Sequence, residues 1–398
     1  MKIQTDKLSL TRYLSALLVS IIIHFGYNYI EGSDNFDSNA VFMLIMGVAF
    51  GVILQRSRFC FFCILRDLIE YKNGKPLAGL ITALIIGGMG YLVFFGAWVT
   101  DPSAGHLPQD AHVAPVSWHL LAGGLLFGWG MALSGSCISA HFYRIGEGSV
   151  VAPFALAGTV VGFIPGYLVW NTLYTSTISS ASIPWLPDSV GYGGAFIIQT
   201  FVLLAILLWL LIKFPSSEQT DNRSSEPYTL RHIAENVFIQ RWPTWIGGVG
   251  VGLIAIFAYF RVEPLGVTAE LGRISRDAGN SFDVIPTRLE GLDGLAGCTV
   301  QSAPAILSTN GVFIAALVAG ALFSALIAGQ FKPRLVRFAK IGKGFGGGIL
   351  LGFGAMISLG CTIGTTLSGI MAFAVSGWVF TLAMVAGVWS GIKMNWHR

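Results

Sequence analysis

The residues best suited to chemistry in this 398-residue chain are its five cysteines, and four of them share a setting. Cys60 stands in QRSRFCFFC, Cys137 in SGSC, Cys298 in LAGCTVQS and Cys361 in LGCT. Each lies where the periodicity of an apolar run is interrupted. A thiol so placed can pack as a small hydrophobe, meet a soft polarisable atom, or do redox work. Cys63, at C-x-x-C spacing from Cys60, adds redox or metal chemistry to the options. No second C-x-x-C follows, and His24, His106, His112, His119, His141, His232 and His397 form no metal spacing. No metal and no cofactor are expected.

The elements that must carry these thiols are membrane helices. Charged residues make up 11% of the chain and hydrophobic ones 54%, against about 25% charged in an ordinary soluble domain. That excludes a soluble enzyme, a disordered chain and a nucleic-acid binder. Gly, at 50 residues, is over-used where membrane helices pack closely or backbone bends around a ligand. Apolar stretches able to cross roughly 30 Å of hydrocarbon are read at 13–30, 77–99, 149–171, 193–213, 243–260, 311–330 and 371–391. Three shorter ones, 40–55, 118–134 and 344–359, each run into a Gly, Cys or Arg turn. The fold class expected is an all-α polytopic membrane protein of about nine or ten spans, some of them broken or re-entrant. The first stretch has no small-x-small cleavage site after it and is read as a retained extra helix.

Lys and Arg set the orientation. Basic connections are the N-terminus, 71–75, 213–241, 331–343 and the C-terminus, whereas 31–39, 100–117 and 172–192 contain neither residue. The two classes alternate, so both termini are expected in the cytoplasm. Segment 261–294 is polar with mixed charge, and its side follows only from counting.

Residues 123–137, GGLLFGWGMALSGSC, align without gaps on residues 347–361, GGILLGFGAMISLGC. Four Gly, Leu126/Leu350, Ser134/Ser358 and Cys137/Cys361 match in register. By the charge rule the first copy runs inward and the second outward. Two inverted repeats are therefore expected, 1–213 and 241–398, joined by a polar cytoplasmic linker at 214–240. Such repeats, broken at corresponding positions around a midplane site, are a transporter signature.

Gly-rich turns after short intramembrane helices leave backbone N–H groups unpaired, and these survive at membrane depth only where they line a cavity or are buried in protein. A following helix aims its N-terminal dipole there, which favours an anion. The candidate substrate path is Cys60, Cys137, Cys361 and Cys298. Gly135, Ser136, Gly297, Gly360 and Thr362 flank the thiols, and Arg56, Arg58 and Arg66 flank the first break as candidate anion-attracting groups.

RSRFCF followed by Arg66 and Asp67, then GGLLFGWGMALSGSC with YRIGEG, then LGFGAMISLGC, resemble the YeeE/YedE family of sulfur-compound transporters. The resemblance covers about 41–391. It implies a bacterial inner-membrane importer of thiosulfate or a related sulfur or selenium oxyanion, with about nine spans and cysteine loops meeting at the centre. It also implies that Cys60, Cys137 and Cys361 pass the substrate along, and that a separate small cytoplasmic sulfur-carrier protein is a candidate partner beside the lipid bilayer. Neutral thiols suit such a dianion, because each offers a weak S–H donor without fixing a charge, and conduction needs weak multi-site binding. The alternative is a membrane-embedded sulfurtransferase or thiol oxidoreductase working through Cys60 and Cys63.

Overall fold

The computed structural model describes residues 2–33, 36, 38–99, 101–108, 110–214, 235–292, 307–333 and 336–397. Its elements are α1 (Lys2–Glu31), α2 (Ser38–Ser57), α3 (Phe61–Glu70), α4 (Lys75–Trp98), α5 (Trp118–Ser134), α6 (Ile138–Gly146) and α7 (Val151–Leu173). They continue as α8 (Leu186–Lys213), α9 (Thr244–Arg261), α10 (Ala269–Ser281), α11 (Thr309–Ile327), α12 (Phe338–Ile357) and α13 (Val375–Lys393). Between α12 and α13 the chain forms a π-helical stretch, Thr362–Ser368, that runs on to Met371. Among the described residues, nine helices are long and apolar enough to cross a membrane, or ten if the bent pair α12 with 362–371 is one span. The protein is a multi-pass, all-α membrane protein.

Glycine decides how the helices meet. In lipid, association rests on van der Waals contact between closely approached backbones rather than on apolar burial. Gly124 and Gly128 of α5 lie against Phe380 and Met384 of α13, and Gly158 and Gly162 of α7 against Phe345 and Ile349 of α12. Gly47 and Gly51 of α2 lie against Phe313 and Leu317 of α11, and Gly79 of α4 against Thr244 of α9. In the first three pairs, residue numbers rise together, so those helices run parallel.

Two contacts run the other way. Gly123 of α5 meets Gly354 and Ser358 of α12, while Gly130 meets Gly347 and Leu351. Gly247 and Gly250 of α9 meet Ser57 and Ile53 of α2. These pairs are antiparallel. The α5–α12 contact is also reciprocal, because Gly123 aligns with Gly347 and Gly130 with Gly354 in the 15-residue match. Exchanging α2 with α9, α3 with α10, α4 with α11, α5 with α12 and α7 with α13 carries the main helix contacts onto one another. Helix α1, packed on α11 and α2, and α8, packed on α4, stand outside this exchange.

The expected spans coincide with helices to within a few residues at most ends. Segment 261–294, read from its sequence as polar with mixed charge, is partly helical. It holds α10, whose inner face buries Glu270, Arg273 and Ser275. Its polarity is answered internally: Arg273 bonds Glu270 and Asp277, the latter at 2.9 Å, and Ser308 donates to Glu270.

Candidate functional site: the cysteine breaks

Three helix breaks are built alike. The residue after α2 and its Ser57, Arg58, has φ 51°, Gly135 after α5 has φ 77°, and Leu359 beyond α12 has φ 60°. In each case the second residue further on is a cysteine in extended backbone that caps the next helical segment: Cys60 for α3, Cys137 for α6 and Cys361 for the π-helical stretch. A left-handed residue ends a helix by turning the chain so that following N–H groups reach back to its last carbonyls. Phe59 N–H donates to Leu54 O at 3.1 Å and Gly360 N–H to Ala355 O at 2.9 Å in this way. A side-chain bond is repeated as well. Ser134 Oγ donates to Ser136 O at 3.0 Å, and its counterpart Ser358 Oγ donates to Gly360 O at 3.3 Å.

The first two breaks come together. Cys60 and Cys137 are fully buried, and the Cys60 thiol lies close to those of Cys137 and Cys63. Cys60 Sγ lies 3.8 Å from Ser136 Oγ, and Cys137 Sγ lies 3.3 Å from Ser139 Oγ. Two helix N-termini, of α3 and α6, therefore converge on a cluster of thiols and hydroxyls. Their first backbone N–H groups have no intrahelical partners, and both dipoles favour an anion there. Arg144 closes one side of the cluster. Its guanidinium donates to Cys63 Sγ at 3.2 Å and to Gly135 O at 3.1 Å.

Cys361 stands at the other end of the α5–α12 pair. Ile357 and Ser358 lie beside Gly123, whereas Ser134 lies beside Gly347. The two helix ends are thus about 11 residues, or roughly 16 Å, apart along the axis. Cys361 is fully buried there, its carbonyl accepting from Thr365 N–H at 2.7 Å, and the buried Thr362 hydroxyl has no hydrogen-bond partner. The chain bends by 47° at this break. At the first two, Ser38–Glu70 and Trp118–Gly146 each continue as one span.

A cavity of about 760 Å³ opens beside the first cluster, walled by Cys63, Arg58, Arg66, Arg144, Glu147 and Lys332 among others. Arg66 is held by Asp67 at 2.8 Å. Arg56 does not line this cavity. Its guanidinium is buried against the carbonyls of Val237 and Gln240, and its own carbonyl accepts from Trp242 N–H at 3.1 Å. That makes it a clamp between α2 and the segment leading to α9. Cys298 and Gly297 lie outside the described residues.

Sequence reasoning passed over Arg144, Ser139, Glu147 and Gln55. Arg144 and Glu147 stand in the YRIGEG stretch, and Arg144 follows Cys137 by seven residues, two helical turns on the same face. That spacing was the available signal. Gln55 carries no signal of its own. It is buried in α2, bonding Glu147 at 3.2 Å, Gln330 at 2.8 Å and Ser324 at 2.8 Å.

Comparison with known proteins gives the family. The thiosulfate transporter TsuA of Escherichia coli is 26% identical over 359 residues, covering 89% of this chain and 94% of its own. The TsuA of Spirochaeta thermophila is 27% identical over 368 residues, covering 87% of this chain and 96% of its own. The probable transporter YedE of Salmonella typhimurium is 26% identical over 169 residues, covering 42% of this chain and 39% of its own. The family profile described as Sulphur transport matches residues 56–390, from the end of α2 into α13. The chain belongs to that Sulphur transport family, the YeeE/YedE group.

Proposed function

We propose that this protein imports thiosulfate, or a closely related sulfur oxyanion, across the bacterial inner membrane. One observation carries the reading: Cys60, Ser136 and Cys137 meet at the N-termini of α3 and α6. Helix dipoles and free N–H groups supply the attraction for a dianion. Thiols and hydroxyls supply weak donors that its soft terminal sulfur and its oxygens can exchange between. No thiolate is needed, and a fixed negative charge would repel the cargo.

The path runs from the Cys361 break to the Cys60–Cys137 cluster and then into the cavity beside Cys63. Thr362 and Gly360 serve the first station, Gly135 and Ser136 the second, and Arg58 and Arg66 the exit. The two halves, 1–213 and 241–398, are read as inverted repeats. The reciprocal Gly123–Gly354 and Gly130–Gly347 contacts and the exchange of helix pairs support that reading. Lys332 and Arg241, from the basic connections, stand at the cavity, so the cavity faces the cytoplasm, with both termini on the same side. A small cytoplasmic sulfur-carrier protein would receive the cargo there.

Uptake of labelled thiosulfate into proteoliposomes containing the purified protein tests this. Accumulation is expected with the wild type and is lost in Cys137→Ser and Cys361→Ser. Equal uptake by empty vesicles overturns the proposal. A stoichiometric sulfur adduct on Cys60 or Cys63 after incubation with thiosulfate turns the reading towards a thiol enzyme.

A further inference from the structure

Beyond Cys63 the wall of the cavity changes from sulfur to charge. Arg58, Arg144, Arg241 and Lys332 face it, together with the Arg66–Asp67 pair, which is closed on itself at 2.8 Å. Among the described residues, Glu147 is the carboxylate left to answer the four remaining cations, and it accepts from the Gln55 amide at 3.2 Å. The space is therefore net positive. At about 760 Å³, it holds a hydrated oxyanion with water to spare, each water taking about 30 Å³.

One of the cations is fixed in advance: Arg144 is tied to Gly135 O and Cys63 Sγ, while Arg58 stands exposed on the cavity wall. Guanidinium groups keep their charge at any working pH and match oxyanion geometry with paired N–H donors. Among the described residues the sulfur on this wall is that of Cys63, already engaged by Arg144. What the cavity offers a ligand is charge, not a thiol.

We propose that this vestibule is a second anion site, distinct from the Cys60–Cys137 cluster, which takes divalent tetrahedral oxyanions by charge and does not read the terminal sulfur. Sulfate fits it as well as thiosulfate does. Sulfate on the vestibule side then occupies the exit and slows import, so the site acts as a brake set by the oxyanion content of that compartment. The inference rests on the transport reading for its consequence, but not for the binding itself.

Two measurements separate the site from the transport reading. The first is equilibrium dialysis of labelled sulfate against the detergent-purified protein, with chloride keeping the ionic strength constant. Saturable binding is expected, with Kd raised roughly tenfold in the Arg241→Gln/Lys332→Gln double variant, as the loss of two partly exposed charge contacts allows. Both residues are exposed, so folding is not at stake, and a monodisperse elution profile checks it. No saturable sulfate binding, or an unchanged Kd in the double variant, overturns the proposal even if thiosulfate transport is intact. The second is thiosulfate uptake into proteoliposomes loaded with sulfate or with chloride. Sulfate is expected to slow the wild type at concentrations that leave the double variant unaffected. Equal slowing of both, or none, removes the brake. Absence of wild-type uptake in chloride overturns the transport reading and the brake together, leaving the dialysis to decide the site.

Discussion

Leu359 and Gly135 hold the same left-handed backbone, at φ 60° and 77°, two residues before Cys361 and Cys137 respectively. The turn is thus kept at both breaks although glycine is kept at one. Leu359 is buried at 2% exposure, and its packing offsets a left-handed cost of about 1–2 kcal/mol. A methyl on Gly135 would meet nothing within 4 Å. Gly135→Ala should therefore lose only that conformational term, about 1 kcal/mol. A methyl on Gly130 would stand 2.8 Å from Gly347 O and 2.7 Å from Leu351 N. Gly130→Ala must push α5 and α12 apart, and about 3 kcal/mol or more is expected. Unfolding of both variants in the same detergent checks the order. Equal losses would mean that the helix contact is not tight.

The charge of the vestibule should follow pH. Glu147 lies just beyond α6, and burial pushes its carboxyl above the usual carboxylate range despite the Gln55 amide and nearby Arg144 and Arg58. As pH falls, it takes a proton before an exposed carboxylate does, and one negative charge leaves the cavity. Sulfate affinity should accordingly rise on mild acidification, and Glu147→Gln should bind more tightly at neutral pH with a flatter profile. Dialysis across pH 5 to 8 measures it. The opposite slope would place the anion elsewhere.

His112 gives a separate pH effect, on stability. It sits between α4 and α5 at 7% exposure, in a loop pinned by Ala114 N–H to Ser376 Oγ at 3.1 Å and Val116 N–H to Ser182 O at 2.9 Å. Burial lowers its imidazole to about 4. The unfolded chain, with His near 6.5, binds the proton first. Stability is therefore full above about pH 6.5, falls as pH drops towards 4, and levels off below, for a total near 3 kcal/mol. Melting temperatures of wild type and His112→Asn should converge on acidification. A constant difference between them would show that His112 does not titrate in the folded state.

Most of the fold was legible because bilayer physics writes it in plain composition. A long apolar run has one way to satisfy its backbone, and the runs at 77–99, 149–171 and 243–260 became α4, α7 and α9. The breaks at Cys60, Cys137 and Cys361 were legible because Gly, Arg and Ser interrupt those runs. Less legible was what lies between helices. Helix α10 is polar by composition and is helical because Glu270, Arg273 and Ser308 satisfy one another inside the protein. Arg56 and Arg58 are two residues apart and looked equivalent. The last turn of α2 sends Arg56 to the carbonyls of Val237 and Gln240, and the left-handed turn sends Arg58 to the cavity. Side-chain direction of that kind depends on a single dihedral, which no pattern of types records.

The proximity of Cys60 and Cys137 can be tested without transport. The two residues are far apart in sequence, and their thiols meet only if α3 and α6 start at one point. A mild disulfide oxidant such as diamide should remove two hydrogens from the pair, itself reduced to the hydrazine, and link the peptides carrying Cys60 and Cys137. Cys63 also lies close to Cys60, so the Cys63→Ser variant is the cleaner substrate. Its thiol has no role in the proposed path, and without it Cys137 is the thiol left beside Cys60 among the described residues. The link should form in that variant, block thiosulfate uptake, and be reversed by reductant with recovery of uptake. Cys361, at a helix end roughly 16 Å away along the axis, should remain a free thiol that alkylates after denaturation. Peptide mapping of the oxidised variant reads all three sites at once. A Cys60–Cys361 link in place of Cys60–Cys137 would mean that the first break packs against the second half, and the order of stations along the path would have to be reversed.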